Sequence, residues 1–111
     1  MKNSESLKKN KDFQVVYRQR NSNANRLLIM YVSKNQLEKN RLGISVSKKV
    51  GNSIVRHRLT RLIRESYRLD EQSFLLGFDI VVIAREKAKD CSYAEIKEAL
   101  LHLAKIHRVL K

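Results

Sequence analysis

One cysteine, no proline and no long apolar run set the first limits on this 111-residue chain. With Cys91 alone, neither an intrachain disulfide nor a cysteine-based zinc site can form, and the residue reads as a small structural one. Without proline, internal repeats or low-complexity linkers, nothing marks a domain boundary, and the length suits a single domain over 1–111 with one modest core. No apolar run approaches the roughly 20 residues that span a bilayer. Lys2 is followed by Asn3, Ser4 and Glu5 rather than an apolar stretch, so no signal peptide is expected and a cytoplasmic location is. Also missing are a glycine-rich phosphate cradle, a His-rich metal pattern and an evident carboxylate pair, which argues against a self-contained enzyme. His102 and His107 are five apart, a spacing that a helix does not stack, and both are expected at the surface or core edge. Asp79 reads as a turn or cap acid.

What the chain has in excess is positive charge. Lys and Arg number 24 against 11 Asp and Glu, a formal net charge of +13. Such an imbalance repels itself in a compact state and calls for an anionic partner. Nucleic acid is the leading expectation, because each neutralised phosphate releases condensed counterions; an anionic membrane surface is the second. At 42% hydrophobic residues the chain still has enough apolar material for a packed core.

The pattern predicts an α, β, β, α, β, α order. Residues 1–9 carry no element signal and are expected to be loose. Asn10 can cap a helix over 10–19, with Phe13, Val16, Tyr17 and Arg20 at helical spacing. Residues 21–25 read as a turn, and 26–33 as a strand. Over 41–47, Leu42, Ile44 and Val46 alternate with Gly43, Ser45 and Ser47, the period of a half-buried strand. A basic turn at 48–52 leads to a helix over 53–69, capped by Asn52 or Ser53. A β-branched strand follows at 80–84. Ser92 and Glu95 have capping-box spacing, and their helix runs to about Val109 with Ile96, Ala99, Leu100, Leu103 and Ile106 inward. This order predicts an α+β fold, a two-layer α-β sandwich.

The helix at 53–69 is the most informative segment. His57, Arg61, Arg64 and Arg68 recur along one stripe, while Val55, Leu59, Leu62, Ser66 and Leu69 lie nearly opposite. Arg56 and Arg58 crowd the same helix, and Arg41, Lys48 and Lys49 are expected to add to its field. A solvated face is the ordinary fate of such a run, and Glu65 can pair with Arg61 or Arg68. The arginine excess favours phosphate binding, since a planar guanidinium grips phosphate oxygens by two hydrogen bonds. Phe13 and Tyr17, one helical turn apart, suit either core packing or stacking on unpaired bases; spacing leaves both open, as it does for Tyr31.

The run from Arg41 to Glu65, RLGISVSKKVGNSIVRHRLTRLIRE, resembles bacterial ribonuclease P protein subunits. The likeness extends to LKKNKDFQVVY over 7–17, ANR over 24–26 and DIVVIAR over 79–85, so it covers most of the chain. Where that family carries Arg-Asn-Arg, this chain has Arg56, His57 and Arg58, and Thr60 stands where lysine is common.

The resemblance implies a ribosomal-protein-like sandwich of order αβ(β)βαβα, with a left-handed crossover between the strands at 41–47 and 79–84 where base rates favour the right-handed form. It also implies a fourth short strand that periodicity does not reveal. The implied partners are a large catalytic RNA, bound 1:1, and precursor tRNA, whose 5′ leader the RNA removes. Magnesium is held mainly by the RNA, and the chain itself supplies no catalytic residue. The implied leader-binding residues are Phe13, Tyr17, Tyr31, Ser45 and Lys49, in a cleft between the first helix and the sheet. With the helix pattern, the expected RNA-binding set is Lys48, Lys49, Asn52, Arg56, His57, Arg58, Arg61, Arg64 and Arg68. Any metal ligands on the chain are unknown. Competing readings are a ribosomal or other structural RNA-binding protein, a DNA-binding regulator and a free-standing nuclease. Strands on both sides of the basic helix disfavour the DNA reading, which expects a compact helix-turn-helix.

Overall fold

A computed structural model describes residues 4–111 as one five-stranded mixed sheet with three helices. The strands are β1 (Ser4–Ser6), β2 (Ser22–Ala24), β3 (Leu28–Lys34), β4 (Asn40–Ser45) and β5 (Phe78–Ala84), in spatial order β1-β4-β5-β3-β2. The helices are α1 (Asn10–Arg18), α2 (Ser53–Leu69) and α3 (Tyr93–Ile106). β5 pairs antiparallel with β3 and parallel with β4, so α2 lies in a parallel crossover. Buried on both faces, β5 has a continuous apolar run instead of an alternating one.

Strand alternation divides the sheet into two unequal faces. Leu28, Met30, Val32, Leu42, Ile80 and Val82 meet α2 and α3 in the main core. Each such fully buried side chain contributes about 1.5–3 kcal/mol. Val81, Tyr31 and Ile83 point the other way, where α1 covers them with Val16, Phe13 and Tyr17. The expected two-layer body is present, with α1 as a short cover on its second face.

The N-terminal segment is not loose. Ser4–Ser6 pairs parallel with Asn40–Leu42, Leu7 is buried and its N–H donates to the Leu42 carbonyl at 2.8 Å. Side chains reinforce this edge: Ser4 Oγ lies 2.6 Å from the Tyr67 hydroxyl, and Lys39 pairs with Glu5. Residues 1–3, also expected to be loose, lie outside the described residues. The expected turn at 21–25 contains β2, paired antiparallel with β3; this is the short extra strand the resemblance implied.

Helix boundaries follow backbone hydrogen bonding more than the sequence pattern. Asn10 is the first residue of α1 and not its cap; Lys9 takes that position with no side-chain bond, and Arg20 lies past the helix at φ 55°. Asn52 does cap α2, accepting from the Val55 N–H at 3.0 Å. The buried stripe of α2 is Leu59, Ile63, Ser66 and Tyr67, while Leu69 is 56% exposed. Tyr67 decides this roll. Its ring packs on Phe74 with centroids 4.7 Å apart, and Leu69, about 200° further round, is turned to solvent.

The Ser92–Glu95 capping box opens α3 as expected. The helix ends at Ile106, which is 45% exposed, because Arg108 turns left-handed at φ 59° and the Val109 N–H reaches back to the Ala104 carbonyl. That reversal buries Val109 and sets Leu110 against Phe74.

Candidate nucleic-acid interface

The outer face of α2 carries His57, Arg58, Arg61, Arg64 and Arg68, all exposed. They are not equivalent. Arg58 donates to the carbonyl oxygens of Cys91 at 2.7 Å and Lys89 at 3.4 Å, tying α2 to the loop before α3. Arg68 holds Glu65 at 2.8 and 3.1 Å, and its hydrogen bonds draw the Glu65 carboxyl below the usual range. Arg56 is half-buried, with its Nε shielded from solvent. Among the described residues, the side chains of His57, Arg61 and Arg64 make no hydrogen bond or ion pair, so the two guanidinium charges and the imidazole are free to meet an outside partner. Lys48 and Lys49 are exposed in the turn that precedes α2.

Arg41 does not belong to this field. It lies on β4 and grips Asp79 by two hydrogen bonds, Nε to Oδ1 at 2.8 Å and Nη2 to Oδ2 at 2.6 Å. Asp79 is only 4% exposed and also accepts from Asn35 at 2.9 Å. The Asp79 hydrogen bond raises the pKa of Arg41, and the pair compensates a buried charge instead of attracting phosphate.

On the opposite side of the sheet, Phe13 and Tyr17 project from α1 with ring centroids 6.3 Å apart. Tyr17 meets Tyr31 of β3 edge-on at 4.9 Å, and burial pushes its hydroxyl pKa up. Both α1 rings stay half-buried. They border an open groove of about 340 Å³ that also takes in Lys8, Asn10, Gln14 and Ser45. Gly43 permits this closeness, since a Cβ there would stand 2.7 Å from the Phe13 ring. The alternation of β4 assigned Gly43 to the right face, but not its contact with a helix thirty residues earlier.

Phe13, Tyr17 and Ser45 line the groove and Tyr31 packs against Tyr17, while Lys49 is not among the lining residues. Lys49 borders a neighbouring hollow of about 450 Å³ with Arg26, Arg85 and Lys87, three cations that the helix-centred reading passed over. Asp79, His102 and His107 have structural partners: Asn25 joins His102 Nδ1 at 3.2 Å, and His107 Nε2 lies 2.9 Å from the Met30 carbonyl. Burial lowers the His107 pKa. Cys91 is buried, and its thiol pKa is raised by that burial. Among the described residues no three His, Cys, Asp or Glu side chains converge as a metal site, and no helix is long and apolar enough to cross a membrane.

A family model described as Ribonuclease P matches residues 1–108. The chain is 58% identical over 107 residues to the ribonuclease P protein component of Lachnoclostridium phytofermentans, covering 96% of this chain and 92% of that one. It is 54% identical over 103 residues to that of Alkaliphilus metalliredigens, covering 93% of each. Among solved structures, the RNase P protein of Staphylococcus aureus superposes with a TM-score of 0.88 at 42% identity, covering 96% and 97% of the two chains. That of Thermotoga maritima gives 0.84 at 32% identity, covering 91% and 96%.

Proposed function

Because the chain belongs to the ribonuclease P protein family, the protein side of the ribonucleoprotein that processes tRNA 5′ ends, we propose how it divides that work between its two surfaces. The outer face of α2, with the turn at Lys48 and Lys49, binds the catalytic RNA in a 1:1 particle. Arg56, Arg61 and Arg64 supply phosphate contacts there, with His57 and Arg68 extending the stripe. The groove beneath α1 receives the unpaired 5′ leader of precursor tRNA, with bases stacked on Phe13 and Tyr17, Tyr31 bracing the stack and Ser45 at the groove wall.

The observation that carries this reading is the pairing of unneutralised cations on α2 with a half-exposed aromatic groove on the opposite side of the same sheet. The first suits a structured polyanion and the second a single strand. In this reading the magnesium ions that support endonucleolytic removal of the leader are held mainly by the RNA. The chain's contribution is to hold the leader and to offset phosphate repulsion, favouring the metal-bound, active RNA fold. A cytoplasmic location accords with these partners.

The test is cleavage of a precursor tRNA by the matching catalytic RNA at low magnesium, with and without the chain. The chain should restore cleavage that the RNA alone loses, and RNA-free chain should cut nothing. Cleavage by highly purified, RNA-free chain would overturn the division of labour.

A further inference from the structure

Between α2, from Ile54 to Glu65, and the start of α3 at Tyr93 lies an open hollow of about 570 Å³ that the groove beneath α1 does not share. Its apolar part is Ile54, Leu62 and Tyr93, and its polar and charged rim is His57, Arg58 and Arg61 with Glu65. Ile54 is 78% exposed, so a β-branched side chain stands in solvent on the first turn of a cationic helix. Leu62 packs against the main core and gives the hollow a firm floor. Tyr93 is steadied by Lys97, whose ammonium lies 5.8 Å from the ring centroid and 3.1 Å from Asp70 Oδ2. Arg58 is held in place by its bonds to the carbonyls of Cys91 and Lys89.

A phosphate alone suits the rim but not the floor, where Ile54 and Leu62 would desolvate it without a hydrogen bond. An apolar side chain suits the floor but strips water from three cationic or polar groups. A nucleotide satisfies both, with the π face of its base on Ile54 and Tyr93 and its phosphate on the cations. Glu65 orients it: a carboxylate repels phosphate but accepts from an amino group on the base edge, which adenine, cytosine and guanine present. We infer that this hollow receives one unpaired nucleotide of the partner RNA, its base against Ile54, Leu62 and Tyr93 and its phosphate toward Arg61 and His57. The inference rests on the reading of α2 as an RNA-binding face and adds a base contact to it.

The test measures affinity of the full chain for ribonuclease P RNA across a range of salt. Ile54→Ala and Tyr93→Leu should each weaken binding about fivefold to tenfold with no change in salt slope, because no phosphate contact is lost. Tyr93→Phe, which keeps the ring, should bind as the native chain does. Arg61→Ala should lower the slope. Since Ile54 is exposed, Ile54→Ala keeps the fold and is decisive even if Tyr93→Leu unfolds. Native affinity in Ile54→Ala, or a lowered slope in it, overturns the base site while an altered Arg61→Ala slope leaves the RNA-binding face standing. An unchanged slope in Arg61→Ala together with native affinity in Ile54→Ala overturns both.

Discussion

The outer face of α2 and the groove beneath α1 are built from different materials on opposite sides of one sheet. The α2 face is a run of nearby residues on one helix, so its geometry follows from helical periodicity alone. The groove draws Phe13 and Tyr17 from α1 and Ser45 from β4, with Tyr31 of β3 against the Tyr17 ring, and depends on Gly43 leaving room for a ring. A surface assembled within one helix tolerates error at any single position. One assembled across three elements does not, and a substitution in it affects packing and binding together. The contrast also separates arginines of identical chemistry: Arg61 faces solvent, whereas Arg41, on the sheet, completes a buried ion pair.

The sharpest way to break the comparison is Arg41→Ala. It leaves Asp79 buried with Asn35 as its remaining side-chain partner, and should cost about 3 kcal/mol of folding stability in chemical denaturation. Its RNA affinity, measured where the variant is folded, should keep the native salt slope; a lowered slope would return Arg41 to the α2 field. Next in size is the triple change of Arg56, Arg61 and Arg64 to Ala. Each lost phosphate contact should lower the slope of log affinity against log salt by about 0.7–0.9, and affinity near 0.1 M salt should fall on the order of a hundredfold. A native circular dichroism spectrum with an unchanged slope would remove phosphate binding from this face.

Phe13→Ala and Tyr17→Ala probe the groove. Each should cost about 1–3 kcal/mol in affinity for precursor tRNA while mature tRNA, lacking the leader, binds as before. Melting curves must accompany the binding data, since a fully buried aromatic would cost about 3–5 kcal/mol of stability and these rings are only half-buried. Equal losses for precursor and mature tRNA would make the pair a general contact. The smallest effect is expected from Leu69→Ser, which should change stability by less than about 0.5 kcal/mol, because the side chain faces solvent. A loss above about 2 kcal/mol would restore Leu69 to the packed stripe.

Much of the fold was legible because it rests on local rules. The Asn52 cap, the Ser92–Glu95 box and the apolar face of α3 from Ile96 to Leu103 stand where spacing put them. The cationic stripe of α2 was legible for the same reason, and the aromatic groove became so through the family resemblance, since spacing alone left Phe13 and Tyr17 between core and surface. Strand β1 was not: Ser4, Glu5 and Ser6 have no strand pattern and are held by pairing with Asn40–Leu42, more than thirty residues away. β2 shows no periodic signal either, being three exposed residues that pair with β3.

Composition and periodicity by themselves determined that this chain carries +13, three helices and the three longer strands, and that α2 turns a basic stripe outward. Only the tertiary structure decided that Tyr67 and not Leu69 is buried, that Arg41 answers Asp79, and that Lys49 stands apart from Phe13 and Tyr17. The physical reason is range. Helical spacing and caps act within four residues, whereas the roll of a helix, the partner of a buried charge and the depth of a groove depend on which side chains the sheet brings together from distant parts of the chain.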